Sequence, residues 1–285
     1  MTEWTTLISA EALRAELGGP QLAVVDCRFD LRDPAAGSRL FPLGHIAGAT
    51  YASLDNDLSD LGKTGRGRHP LPDVERFCAA LGRMGITPQH QVVVYDGLDG
   101  SIAARFWWML NLLGHRRVAV LDGGLEAWIR QGGAMSTGNP RLRQREYKAR
   151  YQAGQIITTA VLAARLASGD ALLIDARARE RFRGEVEPLD PVAGHIPGAR
   201  NRPFTENLDA AGGFKTALQL RLDFERLLAG KSPSDTILMC GSGVTACHNL
   251  LAMTHAGLPG AKVYAGSWSE WCSDRSRPIA RGDAG

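Results

Sequence analysis

The chain has 285 residues, of which 44% are hydrophobic and 22% are charged. These fractions are typical of a globular protein and exclude a disordered or fibrous chain. Lys and Arg number 33 against 30 for Asp and Glu, so the net charge gives no argument for a nucleic-acid partner. No apolar run reaches the ~18–20 residues that span a bilayer, and residues 1–9 lack the basic start and apolar core of a signal peptide.

Cysteine usage limits the cellular setting. The chain contains five cysteines, and an odd number leaves at least one thiol without a disulfide partner. No two of them have the spacing of metal ligands, so we predict neither a metal site nor a cofactor. Free thiols without a signal peptide are typical of a reducing compartment, so we expect a cytoplasmic protein.

The predicted elements, taken in chain order, occur twice. Signals of the first half return in the same order in the second half, which is the pattern of an internal duplication. They are a helix cap before leucines spaced four apart (Ser9 and Thr158), an Asp-x-Arg after a strand (26–28 and 175–177), a Gly-His-Ile-x-Gly-Ala motif (44–49 and 194–199), an apolar strand (91–96 and 235–240) and a Gly-x-x-x-x-Trp segment (123–128 and 266–271). We therefore predict an N-terminal domain at 1–135, a linker at 136–155 and a C-terminal domain at 156–285.

The predicted linker contains a strongly basic run. Residues 141–150 include four arginines and a lysine but only one acidic residue, Glu146. A segment of this composition cannot build a hydrophobic core and is typical of a solvated connection. A docking surface for an acidic partner is the alternative interpretation.

Each half alternates short apolar runs with longer helical patterns. In the second half, strands are expected at 171–174, 236–239 and 262–264, and helices at 214–228 and 245–255. This alternation favours an α/β architecture, in which a central, mainly parallel sheet carries helices on both faces. The ligand site of such a fold lies at the carboxyl ends of the strands.

Cys240 stands at such a strand end. It follows the apolar strand 236–239 and opens a Cys-Gly-Ser-Gly-Val-Thr loop at 240–245. Two glycines let backbone N–H groups converge, and a helix N-terminus adds positive potential, so both favour a thiolate that can act as a nucleophile. The alternative is a buried structural cysteine. The first half has Asp96 at this position, and a carboxylate is no thiol nucleophile, so we predict a non-catalytic N-terminal domain.

Together with the Gly-Ser-Trp-x-Glu-Trp segment at 266–271, these motifs resemble the two-domain rhodanese-type sulfurtransferases over nearly the whole chain. The loop 240–246 resembles that of the 3-mercaptopyruvate sulfurtransferases, whereas thiosulfate sulfurtransferases carry basic residues where Gly241 and Ser242 stand. The resemblance implies tandem rhodanese-like domains and a sulfurtransferase in which Cys240 takes sulfur from 3-mercaptopyruvate or thiosulfate as a persulfide. It implies cyanide or a thiol as acceptor, with a thioredoxin-like reductant as one candidate. From the net charge and the lengths of the apolar runs we expect no nucleic-acid or membrane partner.

The resemblance also implies roles for other residues. Arg181 aligns with an arginine that binds anionic substrate, with a surface salt bridge as the alternative. Ser242 would hydrogen-bond the donor carbonyl or the sulfur. His45 would form a Ser–His relay with Ser242 or hold a structural hydrogen bond. Thr245 would donate to the loop or cap the following helix. The remaining predicted site residues belong to the loop: Gly241, Gly243 and Val244.

One position departs from the family pattern. The mercaptopyruvate enzymes follow the Arg181 position with Glu-Pro-Arg, but Leu189 stands where that arginine is expected and Asp190 comes next. Losing one charge-assisted contact typically costs about 1.5–3 kcal/mol. The basic residues of 66–69 are candidates to replace it, with a solvated loop as the alternative. The choice between the two donors therefore stays open.

Two rival functions bear on Cys240. Cysteine-dependent phosphatases need an arginine six residues after the cysteine, but Ala246 stands there and the loop contains no basic residue. The missing arginine therefore argues against a phosphatase, and turnover of a phosphate ester without cyanolysable sulfur on Cys240 would reverse this interpretation. A persulfide carrier or regulatory module that delivers sulfur to a partner protein remains the alternative to a free-standing enzyme.

Overall fold

The computed structural model describes residues 3–140, 143–152 and 154–283 and divides the chain into two compact units. Unit 1 consists of Met1–Asp60, Leu71–Gln152 and Ala210–Gly213. Unit 2 consists of Leu61–Pro70, Ala153–Asp209 and Phe214–Gly285. Each unit therefore takes a short segment from the opposite half of the chain.

Unit 1 contains a five-stranded parallel sheet flanked by helices. Its elements are β1 (Leu7–Ile8), α1 (Ala10–Glu16), β2 (Leu22–Asp26), α2 (Ala36–Leu40), β3 (His45–Ile46), β4 (Thr50–Tyr51), α3 (Val74–Arg83), β5 (Gln91–Tyr95), α4 (Ser101–Leu112), β6 (Val118–Leu121), α5 (Gly124–Arg130) and β7 (Met135–Ser136). The strand order is β1-β6-β5-β2-β4, and β3 pairs with β7 in a separate antiparallel ribbon. Strands β5 and β6 are buried throughout, as expected for central strands covered on both faces.

Unit 2 repeats this plan. Its elements are β8 (Ile156–Ile157), α6 (Thr159–Ala167), β9 (Leu172–Asp175), α7 (Arg179–Arg183), β10 (Arg200–Asn201), α8 (Ala217–Leu228), β11 (Thr236–Met239), α9 (Thr245–His255), β12 (Lys262–Tyr264) and α10 (Ser267–Trp271). All pairings in the order β10-β9-β11-β12-β8 are parallel. The predicted tandem α/β architecture is confirmed.

The local signals placed most element boundaries correctly. Ser9 and Thr158 cap α1 and α6, each accepting a hydrogen bond from the backbone N–H three residues on. Helix α8 begins at Ala217 rather than at the predicted residue 214, because Thr216 forms a capping box with Gln219 and so satisfies the N–H groups of the first turn.

The repeated Asp-x-Arg motif is structural in both units. In unit 1, the Nε of Arg28 donates to Asp26 Oδ2 at 2.8 Å and its Nη2 donates to the Gly44 carbonyl at 2.7 Å. The guanidinium thus joins the end of β2 to the Gly-His-Ile motif through charge-assisted bonds. The corresponding residues of unit 2 make the same bonds, and they are Asp175, Arg177 and Gly194.

The predicted linker residues 143–152 pack along unit 1. The Arg145 N–H donates to the Gly82 carbonyl at 2.9 Å, and the buried Tyr147 hydroxyl bonds His115 Nδ1 at 2.8 Å. The basic side chains of this stretch are exposed, and Arg141 lies outside the described residues. No helix in the described part of the chain is long and apolar enough to cross a membrane.

Candidate active site

Cys240 lies where β11 ends, in the loop that leads into α9. Its side chain is buried, with 2% of the residue exposed. The Gly243 N–H donates to Cys240 Sγ at 3.1 Å, and the Cys240 N–H donates to Ser267 Oγ at 3.1 Å. The sulfur therefore faces a backbone donor that stabilises negative charge on it.

The loop is held by the segment at the start of α10. The Trp268 N–H donates to the Cys240 carbonyl at 3.0 Å, and the Ser269 N–H donates to the Gly241 carbonyl at 2.9 Å. Ser267 has a left-handed φ of 52°, which turns its hydroxyl between the Cys240 N–H and the Tyr264 carbonyl. The sequence analysis found this Gly-Ser-Trp segment as a repeat but assigned it no role at the site.

The backbone around position 243 requires a glycine, whereas position 241 is crowded by side chains. Gly243 has φ +76°, and a Cβ there would overlap the Ala265 carbonyl oxygen. A Cβ on Gly241 would lie 2.8 Å from Arg68 Nη2 and 3.5 Å from Arg181 Nη1. Two guanidinium groups therefore lie directly over the residue that follows Cys240.

Arg181, predicted to bind anionic substrate, is oriented by carboxylates. Its Nη2 donates to Glu187 Oε1 at 2.6 Å and lies 3.4 Å from Asp190 Oδ2. Arg68 Nη1 forms an ion pair with the other oxygen of Asp190. Leu189, at the position of the expected arginine, is 40% exposed. The second arginine at this site is Arg68, supplied by another segment of the chain.

The charged side chains around Arg181 include equal numbers of arginines and carboxylates. One of them, Arg177, bonds Asp175, and its guanidinium carbon lies 4.8 Å from the centre of the Trp268 ring. Burial alone would lower the pKa of Arg177, but the charge of Asp175 raises it above its ordinary value. The cluster comprises three arginines and three carboxylates, namely Arg68, Arg177, Arg181, Asp175, Glu187 and Asp190.

Ser242 pairs with a histidine, but with a different one from that expected. Its Oγ lies 2.8 Å from His69 Nδ1, and both residues are 7% exposed. His45 belongs to unit 1, where its Nδ1 bonds the Phe41 carbonyl at 2.8 Å and its ring stacks on Phe41. The Ser–His pair therefore involves His69 rather than His45, because the segment 61–70 packs within unit 2.

The interpretation of residues 66–69 as a solvated loop holds for Arg66 but is wrong for Arg68 and His69. Arg66 is exposed, but Arg68 is half-buried and His69 is buried. Composition did single out this segment, since Arg68 and His69 are ionisable residues beside Pro70. Only packing shows which of its basic groups meets the Cys240 loop.

Of the two roles considered for Thr245, the helix cap is wrong. Helix α9 begins at Thr245, its N-cap is the buried Val244, and no side chain caps it. The Gly243 N–H, just before this helix, donates to the Cys240 sulfur. The loop thus brings together the predicted residues from Cys240 to Val244, with Thr245 immediately after them.

Unit 1 has a carboxylate where unit 2 has the thiol. Asp96 Oδ1 accepts the Gly100 N–H at 2.9 Å, and Oδ2 accepts those of Ile102 at 2.9 Å and Ala103 at 3.2 Å. Burial and then the charge of Asp99 raise the pKa of Asp96 to about 6. In unit 1, the backbone N–H groups of the strand–loop–helix turn therefore bind a carboxylate of the protein itself.

Comparisons with known proteins agree with this geometry. The family model described as Rhodanese-like domain matches residues 9–131 and 158–274. The chain is 48% identical to the "Probable 3-mercaptopyruvate sulfurtransferase" of Pseudomonas aeruginosa, over 97% of this chain and 98% of the relative. It is 39% identical to the "Putative thiosulfate sulfurtransferase SseB" of Mycobacterium tuberculosis, over 98% of both. The solved 3-mercaptopyruvate sulfurtransferase from Leishmania major superposes with a TM-score of 0.84 at 30% identity, covering 94% of this chain and 74% of that one.

Within residues 3–140, 143–152 and 154–283, no group of three or more His, Cys, Asp or Glu side chains could hold a metal ion.

Proposed function

The chain belongs to the rhodanese-like family and is a sulfurtransferase, and we propose that it carries sulfur as a persulfide on Cys240. The observation that carries this proposal is the strand-end thiol with the Gly243 N–H directed at its sulfur. A persulfide anion has the same charge as a thiolate, so a cradle that favours one also stabilises the other. The non-catalytic role of unit 1 follows from Asp96, which has no sulfur to carry.

With 3-mercaptopyruvate as donor, the reaction has two steps. The Cys240 thiolate attacks the donor sulfur, the carbon–sulfur bond breaks, and its electron pair forms the pyruvate enolate. The thiol proton moves to that enolate, which leaves pyruvate and a Cys240 persulfide anion. An acceptor thiolate or cyanide then attacks the outer sulfur and regenerates the Cys240 thiolate.

The neighbouring groups suit a small carboxylate donor. Arg181 and Arg68 offer guanidinium N–H groups over Gly241, next to the sulfur, and an arginine fork matches a carboxylate. Ser242, paired with His69, lies two residues from Cys240 and can hydrogen-bond the donor carbonyl as charge develops on its oxygen. We therefore propose 3-mercaptopyruvate as the preferred donor and a thiol, including that of a thioredoxin-like reductant, as the acceptor.

Thiosulfate is the second candidate donor. It is a dianion, and the balanced cluster of three arginines and three carboxylates offers it little excess positive charge. Steady-state kinetics with both donors and cyanide as acceptor compare them directly. We expect kcat/KM for 3-mercaptopyruvate to exceed that for thiosulfate, and the reverse order would overturn the donor assignment.

The Cys240→Ser variant tests the persulfide. We expect the parent protein, treated with donor alone, to gain one sulfur atom by intact-protein mass spectrometry and to release it with cyanide. Cys240→Ser should gain none and transfer none, while circular dichroism stays unchanged because the substitution nearly conserves volume. Cys78→Ser in α3 of unit 1 is the matched control and should load like the parent. Transfer by Cys240→Ser at a rate close to that of the parent would refute the proposal.

A further inference from the structure

A surface cleft of unit 2 lies between α8 and the chain that follows β10. Its volume is about 340 Å³, which falls within the range of about 300–1,000 Å³ that is usual for small-molecule sites. The residues that line it are Asn201, Arg202, Glu206, Asp223, Arg226 and Leu227. They belong neither to the Cys240 loop nor to the charged cluster around Arg181, so sulfur transfer gives this cleft no role.

Arg202 is the buried basic group of the cleft, with 7% of the residue exposed. Its guanidinium carbon lies 4.5 Å from the centre of the Phe224 ring, and its Nη2 donates to Asn207 Oδ1 at 3.1 Å. Its backbone carbonyl accepts a hydrogen bond from Asn249 of α9 at 3.0 Å. Because these contacts already hold the side chain, an anion that binds it does not have to order a mobile arginine.

The protein satisfies this guanidinium incompletely. Nη1 donates to Glu206 at 3.3 Å and Nη2 donates to Asp223 at 3.4 Å, whereas charge-assisted bonds of this kind are typically about 2.7–2.9 Å long. Nε is buried and has no hydrogen-bond partner in the part of the chain that the structure describes. A buried polar group without a good partner costs free energy, and an anion in the cleft would supply the missing acceptor.

Positive charge exceeds negative charge around the cleft. Among the described residues, its ion pairs join two carboxylates to four basic side chains. The carboxylates are those of Glu206 and Asp223, and the basic side chains are those of Arg179, Arg202, Lys215 and Arg226. Burial would raise the pKa of Asp223, but Lys215 and Arg202 lower it below its ordinary value. The carboxylates of the cleft are therefore neutralised by their partners and do not exclude an anion.

We propose that this cleft binds the phosphate group of a small anion. A phosphate monoester carries about 1.5–2 negative charges at pH 7 and three strong acceptor oxygens. This charge matches the excess of two positive charges around the cleft, and the oxygens match the donors that Arg202 leaves poorly satisfied. Arg202 contacts the phosphate group from the floor of the cleft and Arg226 contacts it from α8. The site is separate from Cys240 and does not depend on sulfur transfer.

The test titrates the full-length protein with inorganic phosphate at constant ionic strength and measures binding by calorimetry. Arg226→Gln removes a charge that lines the cleft, and Arg221→Gln removes the same charge from an exposed side chain of α8 that pairs with Glu225. We expect Arg226→Gln to raise Kd about tenfold, as the loss of one charge-assisted contact predicts. Arg221→Gln should raise it less than twofold, and both variants should load Cys240 like the parent.

Arg202→Gln should abolish phosphate binding, and loading of Cys240 checks that unit 2 of this variant is folded. Because Arg202 also contacts Asn207 and Phe224, Arg226→Gln decides the matter if Arg202→Gln does not load. Glycerol 3-phosphate is the second probe. If it binds more tightly than inorganic phosphate, and Arg226→Gln weakens that binding, the ligand is a phosphate ester. The reverse order assigns free phosphate to the same site.

Arg181→Gln separates the cleft from the Cys240 site, whose arginines also attract anions. We expect this variant to bind phosphate with a Kd within twofold of the parent. Binding that is weakened by Arg181→Gln but not by Arg226→Gln would place the anion beside Cys240 and overturn the proposal. Equal effects of Arg226→Gln and Arg221→Gln, or no saturable binding of either probe by the parent, would overturn it as well.

Discussion

Gly241 and Gly243 flank Ser242, but a methyl group would meet different obstacles at the two positions. At Gly243 it would meet backbone, and the left-handed φ adds strain of about 1–3 kcal/mol. At Gly241 it would meet only the ends of the Arg68 and Arg181 side chains, which can move. We expect Gly243→Ala to destabilise the protein by more than the strain alone and to abolish loading of Cys240. Gly241→Ala should mainly raise KM.

Urea unfolding and donor kinetics together check this ranking. Gly230→Ala is the control for strain alone, because Gly230 has φ +85° with open space around its Cβ position. Equal losses of unfolding free energy for Gly230→Ala and Gly243→Ala would show that the Ala265 carbonyl does not restrict the loop. A KM unchanged by Gly241→Ala would show that the guanidinium groups can withdraw without affecting the donor.

The buried pair of Ser242 and His69 predicts coupled effects on stability and rate. Ser242→Ala leaves His69 Nδ1 without its 2.8 Å partner, which typically costs about 1–3 kcal/mol. We expect kcat with 3-mercaptopyruvate to fall in Ser242→Ala and in His69→Ala, and the double variant to lose much less than the sum. A double-mutant cycle measures this coupling.

The matched cycle uses His45, for which the sequence left open a relay with Ser242 or a structural hydrogen bond. Its ring bonds and stacks on Phe41 in unit 1, so we expect the effects of His45→Ala and Ser242→Ala to add. Strong coupling between Ser242 and His45, together with additive effects at Ser242 and His69, would instead support a relay between Ser242 and His45.

At the scale of elements, the strand–loop–helix turns of the two units direct backbone N–H groups at different side chains. In unit 1 the carboxylate of Asp96 accepts the N–H groups that open α4. In unit 2 the loop before α9 leaves its donor to the Cys240 sulfur. The turn of unit 1 thus binds the Asp96 carboxylate, whereas the turn of unit 2 can stabilise a negative charge on the Cys240 sulfur.

Burial of Asp96 in unit 1 predicts that the unfolding free energy depends on pH. The pKa of Asp96 is raised from 3.8 to about 6 by burial and by Asp99, so the folded state holds this proton more tightly than the unfolded state. Between about pH 4 and 6 the contribution of Asp96 to the unfolding free energy falls as pH rises, by up to about 3 kcal/mol. Asp96→Asn removes that contribution.

Urea unfolding of the parent and of Asp96→Asn at pH 4.5, 6 and 7.5 measures the contribution of Asp96 together with its charge interaction with Asp99. The parent should be relatively more stable at pH 4.5 than at 7.5 when each value is compared with the variant. A difference that is constant across these pH values, or that has the opposite sign, would contradict the raised pKa.

At the scale of the whole molecule, unit 2 includes the segment Leu61–Pro70, which is separated in the chain from the rest of that unit. A fragment of residues 154–285 would contain Cys240 and Arg181 but neither Arg68 nor His69. It would leave the buried groups of Asp190 and Ser242 without these partners, so we expect little or no sulfur transfer. Cyanide-dependent turnover of the purified fragment checks this, and activity equal to that of the full chain would show that the segment is dispensable.

Local patterns in the sequence were sufficient to predict the duplicated α/β fold and the position of the reactive cysteine. Strand β11, Cys240 and helix α9 were predicted at their observed positions because strand and helix periodicity and strand-end position depend on neighbouring residues. The duplication and the Asp96 substitution were readable for the same reason. The helix start at Ala217 differed because the Thr216 capping box overrides an apolar pattern that begins at residue 214.

The composition of the site beyond its loop was decided only by the tertiary structure. Arg68 and Asp190 are 122 residues apart, and His69 and Ser242 are 173 apart. Such pairs form because whole elements pack and bring irregular segments together, and the segment 61–70 has no periodicity to indicate its neighbours. The sequence determined the reactive cysteine and its loop, while packing determined which arginine and which histidine accompany it.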